Sequence, residues 1–260
     1  MQKVGVALGG GGAKGFAHIA YLQAMDEMGI KPSCIAGTSM GSIIGALYAI
    51  GYTPEKILDA LDSLTAKRLT APGLLSRLQY LPPSLAASFA KRLLRGFFGE
   101  KTFEDTEIPL KTVAVNFHTL EEKVFSSGLV LDGVMASIAL PGFFPPYQCG
   151  GQYYIDGGAV NIVPFNTLRD ECDILIAIDV CTQRTNRELT PTAQNAYIAT
   201  WNAASALLLN YQFESGQIEI VERPEFPDTG ITQFDQYKKV YSDALSGIAD
   251  FKEKLARMTK

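Results

Sequence analysis

The pentapeptide Gly37-Thr38-Ser39-Met40-Gly41 reads G-x-S-x-G between the short apolar run Cys34-Ile35-Ala36 and the apolar stretch 42–50. Strand, sharp turn and helix is the context in which this spacing makes a nucleophile elbow. The serine hydroxyl is exposed on a strained turn, and the flanking glycines remove side chains that would collide there. The positive end of the following helix favours negative charge developing beside Ser39. A serine that merely occupies a strand-to-helix turn has the same spelling, so the pentapeptide must be weighed with its surroundings.

A second element belongs to those surroundings. The strand-like run Val4-Gly5-Val6-Ala7-Leu8 leads into Gly9-Gly10-Gly11-Gly12-Ala13-Lys14-Gly15, and the apolar pattern after it predicts a buried helix over about residues 16–28. Bare backbone of this kind can turn several amides on one anion. Two anions fit: a nucleotide phosphate, or the oxyanion of an acyl-transfer intermediate. Gly10-x-Gly12-x-x-Gly15 has the form of the dinucleotide fingerprint. The acid that would hold a ribose about 20 residues further on is missing; the nearest, Asp26 and Glu27, lie inside the expected helix. A phosphate-binding loop requires Ser or Thr after Gly-Lys, and here Gly15 follows Lys14. The oxyanion is the better fit.

Ser39 needs a base, since a free serine hydroxyl is a poor nucleophile. The chain has only His18 and His118, and neither follows the later acidic candidates, so the order Ser, Asp or Glu, His cannot be built with them. His18 reads as a hydrogen-bonded structural residue near the glycine loop, and His118 as the end of the strand-like run 113–117. A carboxylate is left. Asp156 stands in Tyr153-Tyr154-Ile155-Asp156-Gly157-Gly158, past a short strand at a glycine turn. Asp-Gly is also an ordinary turn signal. The stretch Ala139-Leu140-Pro141-Gly142-Phe143-Phe144-Pro145-Pro146-Tyr147 upstream is apolar and stiff, and such walls exclude water and raise the basicity of a carboxylate.

The glycine loop, the serine elbow and Asp156-Gly157-Gly158, in this order, resemble the patatin-like phospholipases over most of residues 4–164, and the sequence is similar to the short, single-domain bacterial members. The resemblance implies a Ser–Asp dyad acting on carboxylic esters of lipids, with Ser39 as nucleophile and Asp156 as general base. It implies an oxyanion hole at Gly10, Gly11 and Gly12, with Lys14, Gly15, Gly37, Gly41, Gly157 and Gly158 as supporting motif residues. Lys14 stands where many members carry arginine, and it either meets anionic headgroups or packs the loop. Residues 136–146, Asn161 and Pro164 also follow the family pattern. No cofactor or metal is implied. Two other readings of the same motifs remain: acyl transfer to an alcohol, and a catalytically idle regulator, against which the intact Ser39, Asp156 and motif glycines weigh.

Strand-like runs separated by helical ones (173–180 a buried strand, 192–213 a helix, 218–221 a strand, 236–258 a helix) predict a three-layer α/β/α architecture with a mostly parallel central sheet. The site is expected at the carboxyl ends of its strands. The 260 residues, 47% hydrophobic, suffice for one large core, and motifs that must converge from Gly10 to Asp156 argue for a single domain over 1–260. Within it, segment 69–99 mixes apolar groups with Arg77, Lys91, Arg92 and Arg95, the composition of a lid or interfacial helix. A net charge of -4 argues against nucleic acid as a partner. Cys34, Cys149, Cys172 and Cys181 lack metal-like spacing, and Cys34 and Cys181 read as buried thiols. No signal peptide or membrane-length apolar run is present, so the expected location is the cytoplasm, with peripheral contact to a lipid-bearing membrane left open. Oligomeric state is not legible.

Overall fold

The computed structural model describes residues 2–66, 81–181 and 191–259. Its frame is one eight-stranded sheet. The strands are β1 (Val4–Leu8), β2 (Cys34–Thr38), β3 (Leu110–Asn116), β4 (Glu122–Phe125), β5 (Tyr147–Cys149), β6 (Gln152–Asp156), β7 (Ile174–Ile178) and β8 (Ile220–Glu222). Five of them run parallel in the order β3-β2-β1-β7-β8. β4 and β6 join β3 antiparallel, and β5 extends β6.

The central parallel strands β1 and β7 are fully buried apolar runs because both faces are covered. Val4, Val6, Leu8, Ile35, Ile174, Ile176 and Ile178 point into the larger core. That core is shared with α1 (His18–Glu27), α2 (Met40–Ala49), α3 (Pro54–Ala66), α4 (Pro83–Phe98), α5 (Val130–Ser137) and α7 (Tyr237–Met258). The alternate positions Ala7, Cys34, Ala36, Leu175 and Ala177 face a smaller core with Phe165 and with Leu209 of α6 (Ala193–Ser215). The architecture is therefore three-layer α/β/α with a mostly parallel sheet, as the sequence predicts. Among the described residues, the second helical layer meets Ala7, Ala36, Ala177, Cys34 and Leu175 of the sheet. The expected helix at 16–28 is reached through a 3-10 stretch, Gly12–Ala17, that closes the glycine loop before α1 begins.

Of segment 69–99, residues 69–80 lie outside the described residues. The rest is α4, an amphipathic helix that seats Ala86, Ala90, Leu94 and Phe98 on the core while Lys91, Arg92 and Arg95 stay exposed. Among the described residues no helix is long and apolar enough to cross a membrane.

One detail of the sheet positions the site. Thr112 and Val113 of β3 pair with β2 on one side and with β4 on the other, and Ala114 and Val115 pair with β6 and with β4. A strand has two edges, so β2 and β6 must share the edge of β3 that β4 leaves open. They approach each other along it from opposite directions. β2 ends with Thr38 beside Val113, and β6 ends with Asp156 beside Ala114. The two strand ends meet there, and Ser39 follows Thr38 at the meeting point.

Candidate active site

Ser39 is the hinge between β2 and α2 and has φ 53° and ψ -122°. A positive φ on a residue with a side chain costs on the order of 1–3 kcal/mol and persists only where the surroundings enforce it. Here the Ser39 amide donates to Ser137 Oγ (2.9 Å), and its carbonyl accepts from the Ser42 amide (2.9 Å) and hydroxyl (2.6 Å). The preceding Thr38 donates through Oγ1 to the Asn161 carbonyl at 2.8 Å. The flanking glycines are steric necessities. A Cβ on Gly41 would lie 2.1 Å from the Leu8 carbonyl oxygen, and one on Gly37 would lie 2.5 Å from that of Gly41.

Asp156 is the last residue of β6 and is 2% exposed. Its Oδ1 accepts the Gly158 amide at 2.8 Å, and the Ser39 side chain stands near enough to act on its carboxylate as a donor. Burial raises its pKa from 3.8 to about 6 against the opposing pull of those two donors. The Asp156 amide is held by the Ala139 carbonyl (3.1 Å), which ties the acid strand to the apolar segment upstream.

The glycine loop leaves the end of β1. Gly9 donates to the Ile178 carbonyl (3.0 Å) and Gly10 to the Ile162 carbonyl (2.9 Å). The Gly10 amide is therefore committed, which corrects the expectation that it serves an oxyanion. Gly11 and Gly12 line the cavity beside Ser39, and among the described residues their amides donate to no other part of the protein. Gly12 has φ +54°, and a Cβ there would lie 2.1 Å from the Ile231 carbonyl oxygen. Lys14 is buried in the 3-10 stretch and forms none of the described cavity wall. Added Cβ atoms at Gly15, Gly157 and Gly158 would meet Met40, the Val113 carbonyl and Ile162 respectively, so these glycines let the elbow, loop and acid turn pack close.

Ser39, Asp156, Gly11 and Gly12 open on one cavity of about 210 Å³. Among the described residues its wall is apolar and aromatic apart from a few polar side chains, and Asp156 is its one carboxylate. Leu140, Pro141, Phe143 and Phe144, read from the sequence as a water-excluding wall, line it. Cys181, expected to be a buried thiol, is half-exposed on this wall, whereas Cys34 is buried as expected.

His18 is fully buried, with Nε2 2.8 Å from the Gly9 carbonyl, and burial lowers its pKa to about 4. A neutral ring donates from Nε2 and steadies the strand end from which the loop departs. His118 lies on an exposed turn beside Phe117 and Tyr153, away from the cavity. Sequence reasoning did not single out Ser137 as the partner of the nucleophile's amide, or the carbonyls of Asn161 and Ile162 as anchors of strand and loop. Ser137 and Asn161 stood out only as family pattern, and a carbonyl acceptor leaves no trace in side-chain type.

The fold and site define an α/β protein with a serine at a strand-to-helix elbow and a buried carboxylate that opens on the same cavity. The family model of the patatin-like phospholipases matches residues 6–169, and the chain belongs to that family. It is 31% identical over 183 residues to lysophospholipase NTE1 of Saccharomyces cerevisiae, covering 69% of this chain and 11% of the yeast protein. It is 32% identical over 175 residues to an NTE family protein of Mycobacterium bovis, covering 66% of this chain and 29% of that protein. The chain thus spans a minor part of the curated relatives it matches. Among solved structures, VipD from Legionella pneumophila is similar in fold, with a TM-score of 0.51 and 15% identity, over 94% of this chain and 67% of that one.

Proposed function

We propose that this chain is a serine acyl hydrolase that cleaves carboxylic esters of lipids with a Ser39–Asp156 dyad. The observation that carries the reading is the convergence of Ser39, the buried carboxylate of Asp156 and the Gly11-Gly12 loop on one apolar cavity, where the ends of β2 and β6 meet; burial also raises the Asp156 pKa to about 6. A base poised there is ionised at neutral pH yet basic enough to take a proton. Asp156 accepts the hydroxyl proton as Ser39 Oγ attacks the ester carbonyl. The oxyanion is met by the Gly11 and Gly12 amides and the positive end of α2. Asp156 passes its proton to the leaving alcohol as the C–O bond breaks. Water then attacks the acyl-serine with Asp156 again as base, releasing the fatty acid and restoring Ser39.

The apolar cavity wall and the lysophospholipase name of the yeast relative both favour a lipid acyl ester as substrate. The test is hydrolysis of p-nitrophenyl butyrate. Ser39→Ala and Asp156→Asn are each expected to lower kcat/KM at least about a thousand-fold. Activity within ten-fold of wild type in either variant overturns the dyad.

A further inference from the structure

Resting on the reading of Ser39 as the acyl-accepting nucleophile, we propose that the limb of the cavity along α2 is a slot for one acyl chain of about nine carbons, with Leu47 and Phe97 setting its length. Four consecutive contact positions of α2 form its floor: Met40, Ile43, Ile44 and Leu47 all line the cavity. They recur at the spacing that puts side chains on one helix face, and the first of them directly follows Ser39. Opposite them stand Leu94 and Phe97 of α4, with Ile57, Ala60 and Leu61 of α3 beside them, so that the described wall here is apolar. An alcohol or headgroup would leave polar atoms unpaired there, whereas a hydrocarbon chain would not.

The length follows from the helix. Ser39 to Leu47 is eight residues, a rise of about 12 Å at about 1.5 Å per residue. An extended hydrocarbon chain advances roughly 1.3 Å per carbon, given C–C bonds of about 1.5 Å in zigzag, so about nine carbons reach the level of Leu47. Among the described residues Leu47 is the last of α2, and Phe97 the last of α4, to line the cavity. The Phe97 ring stands edge-on to Tyr52, with centroids 6.3 Å apart. Tyr52 is not part of the described cavity wall; it follows α2 and backs Phe97 from outside, its amide bonded to the Leu47 carbonyl at 3.0 Å.

The test measures kcat/KM for p-nitrophenyl esters of four, eight, twelve and sixteen carbons, below their aggregation limits. In the wild type it is expected to rise about three- to four-fold per methylene from four to eight carbons, then to stop rising, with the sixteen-carbon ester no better than the eight-carbon one. Leu47→Trp is expected to lower the eight-carbon rate at least ten-fold more than the four-carbon rate. Phe97→Ala is expected to move the break to twelve carbons or beyond, and it carries the test if the tryptophan variant does not fold. A rate that climbs through sixteen carbons, or a break that neither variant moves, overturns the slot. Absence of Ser39-dependent hydrolysis at every length instead overturns the hydrolase reading. The slot is then judged by thermal shift of the Ser39→Ala protein with free fatty acids. Decanoate should raise its melting temperature more than palmitate does, and Leu47→Trp should remove the difference; equal or greater stabilisation by palmitate overturns the slot.

Discussion

The elbow and the acid turn deliver one side chain each to the same point by opposite means. The elbow is local. Five consecutive residues set its shape, and two backbone segments pass so close to Gly37 and Gly41 that a single methyl group would collide with a carbonyl oxygen. Its cost is conformational, a serine held at φ 53°. The acid turn is assembled from afar, by an antiparallel strand that meets β2 head to head on the shared edge of β3. Its cost is electrostatic: raising a carboxyl from 3.8 to about 6 corresponds to about 3 kcal/mol against ionisation. The backbone fixes where Ser39 is, and the surroundings fix how basic Asp156 is.

The sharpest way to break this contrast is at the glycines. Gly41→Ala is expected to lose more than about 3 kcal/mol of stability or fail to fold, because the obstacle is the Leu8 carbonyl. Gly158→Ala, whose added methyl meets first the movable end of Ile162, should cost about 1 kcal/mol or less; comparable losses in the two melting curves would erase the distinction. Next in size is the desolvated acid. A carboxyl whose folded pKa is raised destabilises the folded state increasingly as pH rises from the unfolded value of 3.8 through about 6, fully above it, and the cost vanishes below the unfolded value. Asp156→Asn should therefore gain up to about 3 kcal/mol at pH 8 and nothing near pH 3.5, as read from denaturant unfolding at both pH values. A variant no more stable at pH 8 than at pH 3.5, relative to wild type, contradicts it.

The same titration should appear in catalysis. With Asp156 as the base, kcat/KM is expected to be flat above pH 7 and to fall about ten-fold per unit well below pH 6; a plateau extending down to pH 4.5 would assign the base elsewhere. The smallest effect is at the support. Ser137→Ala removes the partner of the Ser39 amide and should cost about 1 kcal/mol of stability, with a several-fold loss in kcat and little change in KM.

The sequence made the elbow readable because its constraint is a matter of neighbours: G-x-S-x-G between two apolar runs carries its own sterics. The parallel core was readable for a similar reason, since strands covered on both faces are unbroken apolar runs such as Ile174-Leu175-Ile176-Ala177-Ile178. Asp156 could be named from its glycine turn, but its approach to Ser39 depends on the edge of β3 that β6 chooses, and that is a pairing between distant segments. The assignment of Gly10 failed for a related reason. Gly10, Gly11 and Gly12 are identical as letters, and only the Ile162 carbonyl distinguishes the committed amide from the two that face the cavity. Cys181 likewise looked buried beside an apolar strand, yet it lies past that strand's end, where the sheet opens on the cavity.

The adjacent carbonyls of Asn161 and Ile162 lie a few residues beyond Asp156, and they hold Thr38 of the nucleophile strand and Gly10 of the loop. One short piece of chain thereby clasps all three parts of the site. A displacement of the acid would carry the serine and the glycine loop along with it, so the spacing among them tolerates drift in the surrounding scaffold. The same clasp sets a limit on redesign: the base cannot be moved to suit a new reaction while its partners stay behind.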